Sequence, residues 1–136
     1  MYHTIIVVGN VGKDAEMRYT PSGAAVASFS VATNKQYTAS SGDKVKETVW
    51  FRVSAWGKQA EICNQYVKKG MKVLVEGRLT ADPETGGPKL WGEDGNKKAS
   101  FEVTASTVRF LSQRGEVDSG AQDAGDMLPP EDDMPF

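Results

Sequence analysis

The sequence predicts an all-β fold, namely a five-stranded barrel with one α-helix between strands three and four, followed by a disordered acidic C-terminal tail. Three observations predict it. Several segments alternate apolar and polar residues with a period of two, one segment repeats apolar residues at helical spacing, and periodicity stops after Leu111. With 136 residues, of which 39% are apolar, the chain suits one domain of ordinary core size with residues left for a tail.

The first half of the chain predicts three strands. His3 to Gly9 is a β-branched run that ends in a glycine-rich turn. Ala24 to Thr33 alternates between two faces, which is typical of a half-buried strand. Residues Tyr37 to Lys46 are polar and predict a hairpin loop, after which Glu47 to Trp56 resumes the strand pattern.

The segment Lys58 to Lys69 predicts the helix. Ala60, Cys63 and Val67 recur at three- and four-residue spacing, and Gly70 stands where a C-terminal cap is expected. The two lysines that end the segment would suit the negative end of the helix dipole.

Two further strands complete the order. Met71 to Leu79 alternates again, Asp82 to Asn96 is a long loop rich in Gly, Pro and charge, and Ala99 to Leu111 is the last strand. Three strands, one helix and two strands are the layout of the oligonucleotide/oligosaccharide-binding barrel, the OB-fold. A different open sheet with one helix is the alternative.

The distribution of charge divides the chain. Residues 1 to 115 hold all 16 Lys and Arg against 11 Asp and Glu, whereas residues 116 to 136 hold 7 acids and no base. A basic body suits a polyanionic ligand, and an acidic tail suits a basic protein surface or serves only solubility. We expect residues 1–112 to form the barrel domain and residues 113–136 to form the tail, because the tail sequence lacks the apolar residues needed to offset its ordering entropy.

Several classes of function are disfavoured by composition. One cysteine, Cys63, and one histidine, His3, supply neither an internal disulfide nor a Cys/His metal site, and no Ser-His-Asp set can be argued. We therefore expect no catalytic residues, no metal and no cofactor. No apolar run approaches a membrane span, so a cytoplasmic protein with no membrane partner is expected.

The segment Val49 to Trp56 carries the most specific local pattern. Because side chains alternate across a strand, Val49, Phe51, Val53 and Ala55 share the core face, while Trp50, Arg52 and Trp56 share the outer face. Indole rings stack on bases of any identity, and Arg both stacks and pairs with phosphate. This outer row predicts a platform for unpaired bases, although Trp and Arg are also enriched in protein interfaces.

Other aromatic and basic residues fit the same interpretation. Tyr37 lies beside Lys35, and Trp91 lies close to Lys89. Backbone phosphates would be met by cations along the barrel, which predicts binding that weakens as salt rises. The candidate cations are Arg18, Arg52, Lys58, Lys69, Lys35, Lys44 and Lys46.

The chain resembles the bacterial-type single-stranded DNA-binding proteins, which phages and mitochondria also carry. The matching stretches are VVGNVGKDAEMRYTPSG, AVASFSVAT, ETVWFRVSAWGKQAE, QYVKKGMKVLVEGRL and the terminal DDMPF. The resemblance implies an OB-fold that assembles as a homotetramer with the single-stranded DNA wrapped around it. It also implies DNA contacts at Tyr37, Trp50, Trp56, Arg18, Arg52, Lys58 and Lys69, with a weaker carry-over to Trp91.

The terminal residues resemble the docking peptide of that family. Asp132, Asp133, Met134, Pro135 and Phe136 would bind replication, recombination and repair enzymes, since a free carboxylate beside a Phe suits a basic pocket with an apolar floor. Met134 stands where the family usually has Ile, and Phe51 stands where some members have His, which bears on the subunit contact.

The sequence therefore predicts a non-enzymatic protein that binds and protects single-stranded DNA without regard to sequence, and that recruits partners through its tip. A protein-binding adaptor and a barrel enzyme acting on nucleic acid are the alternatives.

Overall fold

The computed structural model describes residues 1–112, which form seven strands and one helix. Their bounds are β1 (Ile5–Val11), β2 (Glu16–Tyr19), β3 (Ala25–Thr38), β4 (Lys44–Trp56), α1 (Lys58–Tyr66), β5 (Lys72–Thr80), β6 (Lys89–Trp91) and β7 (Lys98–Phe110). Among these residues, no helix is long and apolar enough to cross a membrane.

Five long strands close into a barrel in the order β1-β5-β7-β4-β3, and β3 returns to β1 through Asn10↔Ala32 and Val11↔Val31. All of these pairings are antiparallel except β4 with β7. The short β2 follows β1 along the same edge of β3, and the short β6 pairs with β7. The predicted five-stranded barrel with one helix between the third and fourth long strands is confirmed.

The barrel interior is filled mainly by valines and other small residues. Val31, Val53, Val75 and Val103 are all fully buried, and each comes from a different strand of the barrel. The helix packs Ala60 and Cys63 into this core, and Val67, the first residue after the helix, is buried with them. Burial raises the pKa of the Cys63 thiol to about 11, because the thiolate would lose its hydration there.

The helix is shorter than its sequence pattern predicts. It begins after Gly57, whose positive φ of 65° permits the sharp change of direction from β4 into α1, and it ends at Tyr66 rather than Lys69. The following residues leave the helix because tertiary hydrogen bonds hold them. Gly70 donates its N–H to Val11 O, and Lys69 donates its N–H to Asp14 Oδ1 at 2.8 Å. The two lysines therefore lie outside the helix, and the dipole argument for them is wrong.

The predicted loops are also shorter than expected. β3 continues to Thr38 and β4 starts at Lys44, so the hairpin loop spans only residues 39–43 instead of Tyr37 to Lys46. The strand ends that flank this loop are polar because the hairpin extends beyond the barrel, where most of the hairpin residues are exposed. The predicted loop Asp82 to Asn96 contains β6, which is too short to show a period.

Candidate nucleic-acid interface

The outer face of β4 carries the row of residues predicted from the sequence. Val53 and Ala55 are fully buried in the core, whereas Trp50, Arg52 and Trp56 point to the other side of the strand. Trp56 is 47% exposed, and Trp50 and Arg52 are partly buried. The predicted assignment of the two faces is confirmed, with one correction. Val49 shares the core face by alternation but is exposed, because it lies beyond the packed interior at the barrel end.

Trp50 packs one edge of its indole against the bend that follows β1. A Cβ atom built on Gly12 would fall 2.6 Å from Trp50 Cζ3 and 2.8 Å from Ser30 Oγ, so only glycine permits this close approach. Trp50 Nε1 and Ser30 Oγ are both buried and have no hydrogen-bond partner among the described residues. One edge of the indole is thus fixed against the barrel.

Trp56 stands at the end of β4 among basic residues. Its partner on β3 is Val26, and Val26 pairs in turn with Arg18 of β2. Directly opposed residues of neighbouring antiparallel strands share a face, so Arg18 lies two strands from Trp56, roughly 10 Å away, on the same surface. Lys58 is exposed one residue beyond Gly57. An exposed ring with two nearby cations suits a stacked base and its phosphates.

The outer face continues along β4 into the hairpin. Lys44 and Lys46 occupy the same face as Trp50, because every second residue of the strand faces the same way and its register with β3 has no irregularity. From Lys44 to Trp56 this face is roughly 40 Å long, at about 3.3 Å per residue. It forms one track of cations and indoles, the β4 track, which consists of Lys44, Lys46, Trp50, Arg52 and Trp56.

Tyr37 faces the other way. It pairs with Val45, so it lies on the opposite surface of the hairpin from the β4 track. Its hydroxyl donates to Glu47 Oε1 at 3.3 Å, and Lys35 Nζ lies 5.8 Å from the ring centroid. The structure therefore does not bring Tyr37 together with the two tryptophans of β4.

A cleft of about 350 Å³ opens beside Arg52. Trp91, Lys89 and Glu102 line it together with Ser30, and Arg52 Nη1 lies 3.9 Å from Glu102 Oε1 across the paired strands β4 and β7. Trp91 is 38% exposed, and Lys98 Nζ lies 5.3 Å from the centroid of its ring. We name this space the Arg52 cleft. It brings Trp91 next to the β4 track, although the two are far apart in sequence.

The backbone of Lys69 is hydrogen-bonded to a residue of the same cleft. Asp14, which lines the cleft, accepts the Lys69 backbone N–H and lies 4.0 Å from Lys68 Nζ. The Lys69 side chain is exposed. The predicted cations Arg18, Arg52 and Lys69 are thus all close to the β4 track or to the Arg52 cleft.

Sequence reasoning missed the acidic and hydroxyl groups of the interface. Glu102 alternates with the buried Val103, so the strand pattern could have assigned it to the outer face of β7. Ser30 carried no signal, because nothing in the sequence indicates that its hydroxyl is buried at this cleft. Among residues 1–112 no group of three or more His, Cys, Asp and Glu could hold a metal ion. The predicted docking tip, Asp132 to Phe136, lies outside the described residues.

A family model described as the single-strand binding protein family matches residues 2–111. The chain belongs to this family. Its single-stranded DNA-binding protein relatives include one from Wolinella succinogenes, with 38% identity over 88% of this chain and 70% of that protein. One from Neisseria meningitidis has 37% identity over 86% of this chain and 64% of that protein.

Solved structures of single-strand binding proteins have the same fold. The single-stranded DNA-binding protein from Thermus aquaticus matches with a TM-score of 0.62 and 31% identity over 82% of this chain and 51% of that chain. A Plasmodium falciparum complex with single-stranded DNA matches with a TM-score of 0.67 over 82% of this chain and 96% of that chain, and its 24% identity supports the fold alone. This chain spans about half the length of the Thermus aquaticus protein.

Proposed function

We propose that this protein binds single-stranded DNA without regard to sequence and protects it during replication, recombination and the repair of damage. The observation that carries the proposal is the β4 track, in which an exposed Trp56, a partly exposed Trp50 and three cations share one surface of a barrel strand. Family membership and the 38% identity to the Wolinella succinogenes single-stranded DNA-binding protein support it. A duplex would hide the faces of its bases from these rings, so the unpaired strand is the fitting ligand.

We propose that the single-stranded DNA follows the β4 track and enters the Arg52 cleft. Trp50, Trp56 and Trp91 would stack on bases, while cations along the route would neutralise phosphates. The phosphate contacts we propose are Arg18, Arg52, Lys58, Lys69, Lys44 and Lys46. Tyr37 would contact the DNA only if the DNA wraps around the hairpin, because the Tyr37 ring lies on the surface opposite the β4 track.

A homotetramer is proposed from the apolar surface that β1 leaves uncovered. Ile6 is 61% and Val8 47% exposed on the outer face of this strand, and residues 5–9 pair on one side only, with β5. An unpaired strand edge beside apolar side chains is a ready surface for a second copy of the chain. Phe51 and the exposed Phe101, whose ring centroids lie 6.0 Å apart, offer a further apolar contact at the barrel end.

We propose that residues 1–112 are the DNA-binding domain and that residues 113–136 are an acidic tail without catalytic function. Its tip, Asp132 to Phe136, would dock into basic pockets of replication, recombination and repair enzymes, as the sequence resemblance implies. The ligand and partners proposed here imply a cytoplasmic, nucleoid-associated location. The protein would act by binding alone, with neither enzymatic turnover nor a cofactor.

The test is a titration of the full chain with oligo-dT, followed by tryptophan fluorescence and repeated at several salt concentrations. We expect quenching of the indole emission and an affinity that falls linearly on a log–log plot against salt, since binding releases counterions. Fluorescence that does not change on adding oligo-dT would contradict the proposal and favour a protein-binding adaptor. Degradation of the oligonucleotide, abolished by loss of a carboxylate, would favour an enzyme.

A further inference from the structure

The Arg52 cleft contains a positive and a negative group that hold each other only loosely. The separation of 3.9 Å between Arg52 Nη1 and Glu102 Oε1 exceeds the 2.7–3.2 Å range of a good N–H···O hydrogen bond. The guanidinium therefore keeps its donors, and the carboxylate keeps its acceptors, for a ligand that lies against both of them. A surface made only to attract phosphate would not carry a carboxylate at this position.

The floor of the cleft contains a second unused polar group. Ser30, which lines the cleft, is only 3% exposed, and its Oγ has no partner among residues 1–112. A buried hydroxyl without a hydrogen bond is destabilising. Because Ser30 Oγ has almost no accessible surface, it would bond to a ligand only after the side chains around it move.

The dimensions of the cleft suit one nucleotide. Its volume of about 350 Å³ is at the lower end of the range for small-molecule clefts, about 300–1,000 Å³. Trp91 lines one wall and offers a flat ring against which a base can stack. The base edge would then lie beside Arg52 and Glu102, where its hydrogen-bonding groups can be distinguished.

We infer that the Arg52 cleft is a base-reading subsite that prefers cytosine over thymine, an inference that rests on the proposed binding of single-stranded DNA. Cytosine presents an amino group at position 4 for the Glu102 carboxylate, which is the pairing that carboxylates make with this base. Its adjacent N3 and O2 are both acceptors, and they match the parallel donors of the Arg52 guanidinium.

Thymine and adenine match this pair of side chains less well. Thymine has a carbonyl oxygen in place of the amino group and an N–H at position 3, so when that N–H faces Glu102 only one adjacent acceptor remains for the Arg52 fork. Guanine also fits the pair, because its N1–H and amino group can donate to Glu102 while O6 accepts from Arg52. Adenine presents an amino group and N1 but has a C–H in place of the second acceptor, which leaves part of the Arg52 fork unpaired. A preference at one subsite still leaves binding sequence-tolerant over the whole strand, because stacking elsewhere accepts any base.

The experiment compares the affinities of oligo-dC and oligo-dT of about 16 nucleotides, the upper end of the site size of one barrel. It is run on the full chain at slightly alkaline pH, where cytosine stays neutral. We expect the ratio of the two affinities, dC over dT, to fall about fivefold or more in Glu102→Met, because one side chain–base pair discriminates by at least this factor. Taking the ratio cancels the gain in affinity for both oligonucleotides that follows from removing a negative charge.

Two further variants complete the experiment. Glu102→Gln removes the charge but keeps an acceptor, so it should retain more of the ratio than Glu102→Met does. Glu61→Gln removes one exposed negative charge on α1, away from the cleft, and should leave the ratio at its wild-type value. An unchanged ratio in a folded Glu102→Met variant that still binds oligo-dT would overturn this inference alone. Failure of the wild-type protein to bind either oligonucleotide would instead refute the proposed function.

Discussion

The substitution Gly12→Ala tests the packing that fixes Trp50. The built Cβ falls 2.6 Å from Trp50 Cζ3, 2.9 Å from Cη2 and 2.8 Å from Ser30 Oγ. Carbon atoms prefer a separation of about 3.5–4.0 Å, so the ring must withdraw by about 1 Å. Overpacking of this kind costs about 1–3 kcal/mol, offset in part by the 0.4–1 kcal/mol that Gly→Ala gains through the unfolded chain. We expect a net loss of about 1–2 kcal/mol in the free energy of unfolding.

The assay combines chemical denaturation with tryptophan emission, in a background in which Trp56 and Trp91 are replaced by Phe so that Trp50 alone is observed. Withdrawal of the ring brings its buried Nε1 into water, so the emission should shift to longer wavelength and the affinity for oligo-dT should fall. Gly87→Ala is the matched control, since the nearest atom to its built Cβ is Thr85 Oγ1 at 3.7 Å. If Gly12→Ala has the emission and stability of this control, the described position of Trp50 is wrong.

Three further predictions concern other parts of the chain. Burial raises the pKa of Cys63 from 9.0 to about 11, so as pH rises the unfolded chain loses this proton before the folded chain does. The free energy of unfolding should therefore fall by about 2–3 kcal/mol between these pH values. Urea denaturation of the wild type should show this fall, and Cys63→Ala should not. Replacing both Lys44 and Lys46 by Gln should reduce the magnitude of the slope of log affinity against log salt by about 1.4, because each phosphate contact of a single strand contributes about 0.7. An unchanged slope would mean that the DNA does not contact the hairpin. Deleting Phe136 should abolish capture of partner enzymes in a pull-down while oligo-dT affinity stays at the wild-type value; weaker DNA binding would mean that the tail has been misinterpreted.

The sequence was sufficient to predict the barrel because its strands obey a simple rule. Alternation in β4 assigns Val53 to the core and Trp56 to the surface, and Ala60 and Cys63 on the helix are buried as their spacing predicts. Both patterns depend on the local geometry of the backbone, which a linear sequence displays directly.

The errors occurred where tertiary contacts decide the local structure. The α1 pattern continues to Lys69, but hydrogen bonds from Lys69 to Asp14 and from Gly70 to Val11 end the helix at Tyr66. Nothing in the sequence spacing indicates that Tyr37 faces away from Trp50, because the relation between them depends on the register of β3 with β4. The Arg52–Glu102 pair likewise depends on the parallel pairing of β4 with β7, which no local pattern predicts.

The oligo-dT affinity of Trp56→Ala shows whether the β4 track binds DNA by stacking. If the exposed indole at the end of the β4 track stacks on a base, its removal should cost about 1–3 kcal/mol, which corresponds to a loss of affinity between about fivefold and 150-fold. Tyr66→Ala is the matched control, because this aromatic side chain is 53% exposed on the helix, away from the track. A folded Trp56→Ala variant that binds oligo-dT as tightly as this control would contradict the stacking mechanism.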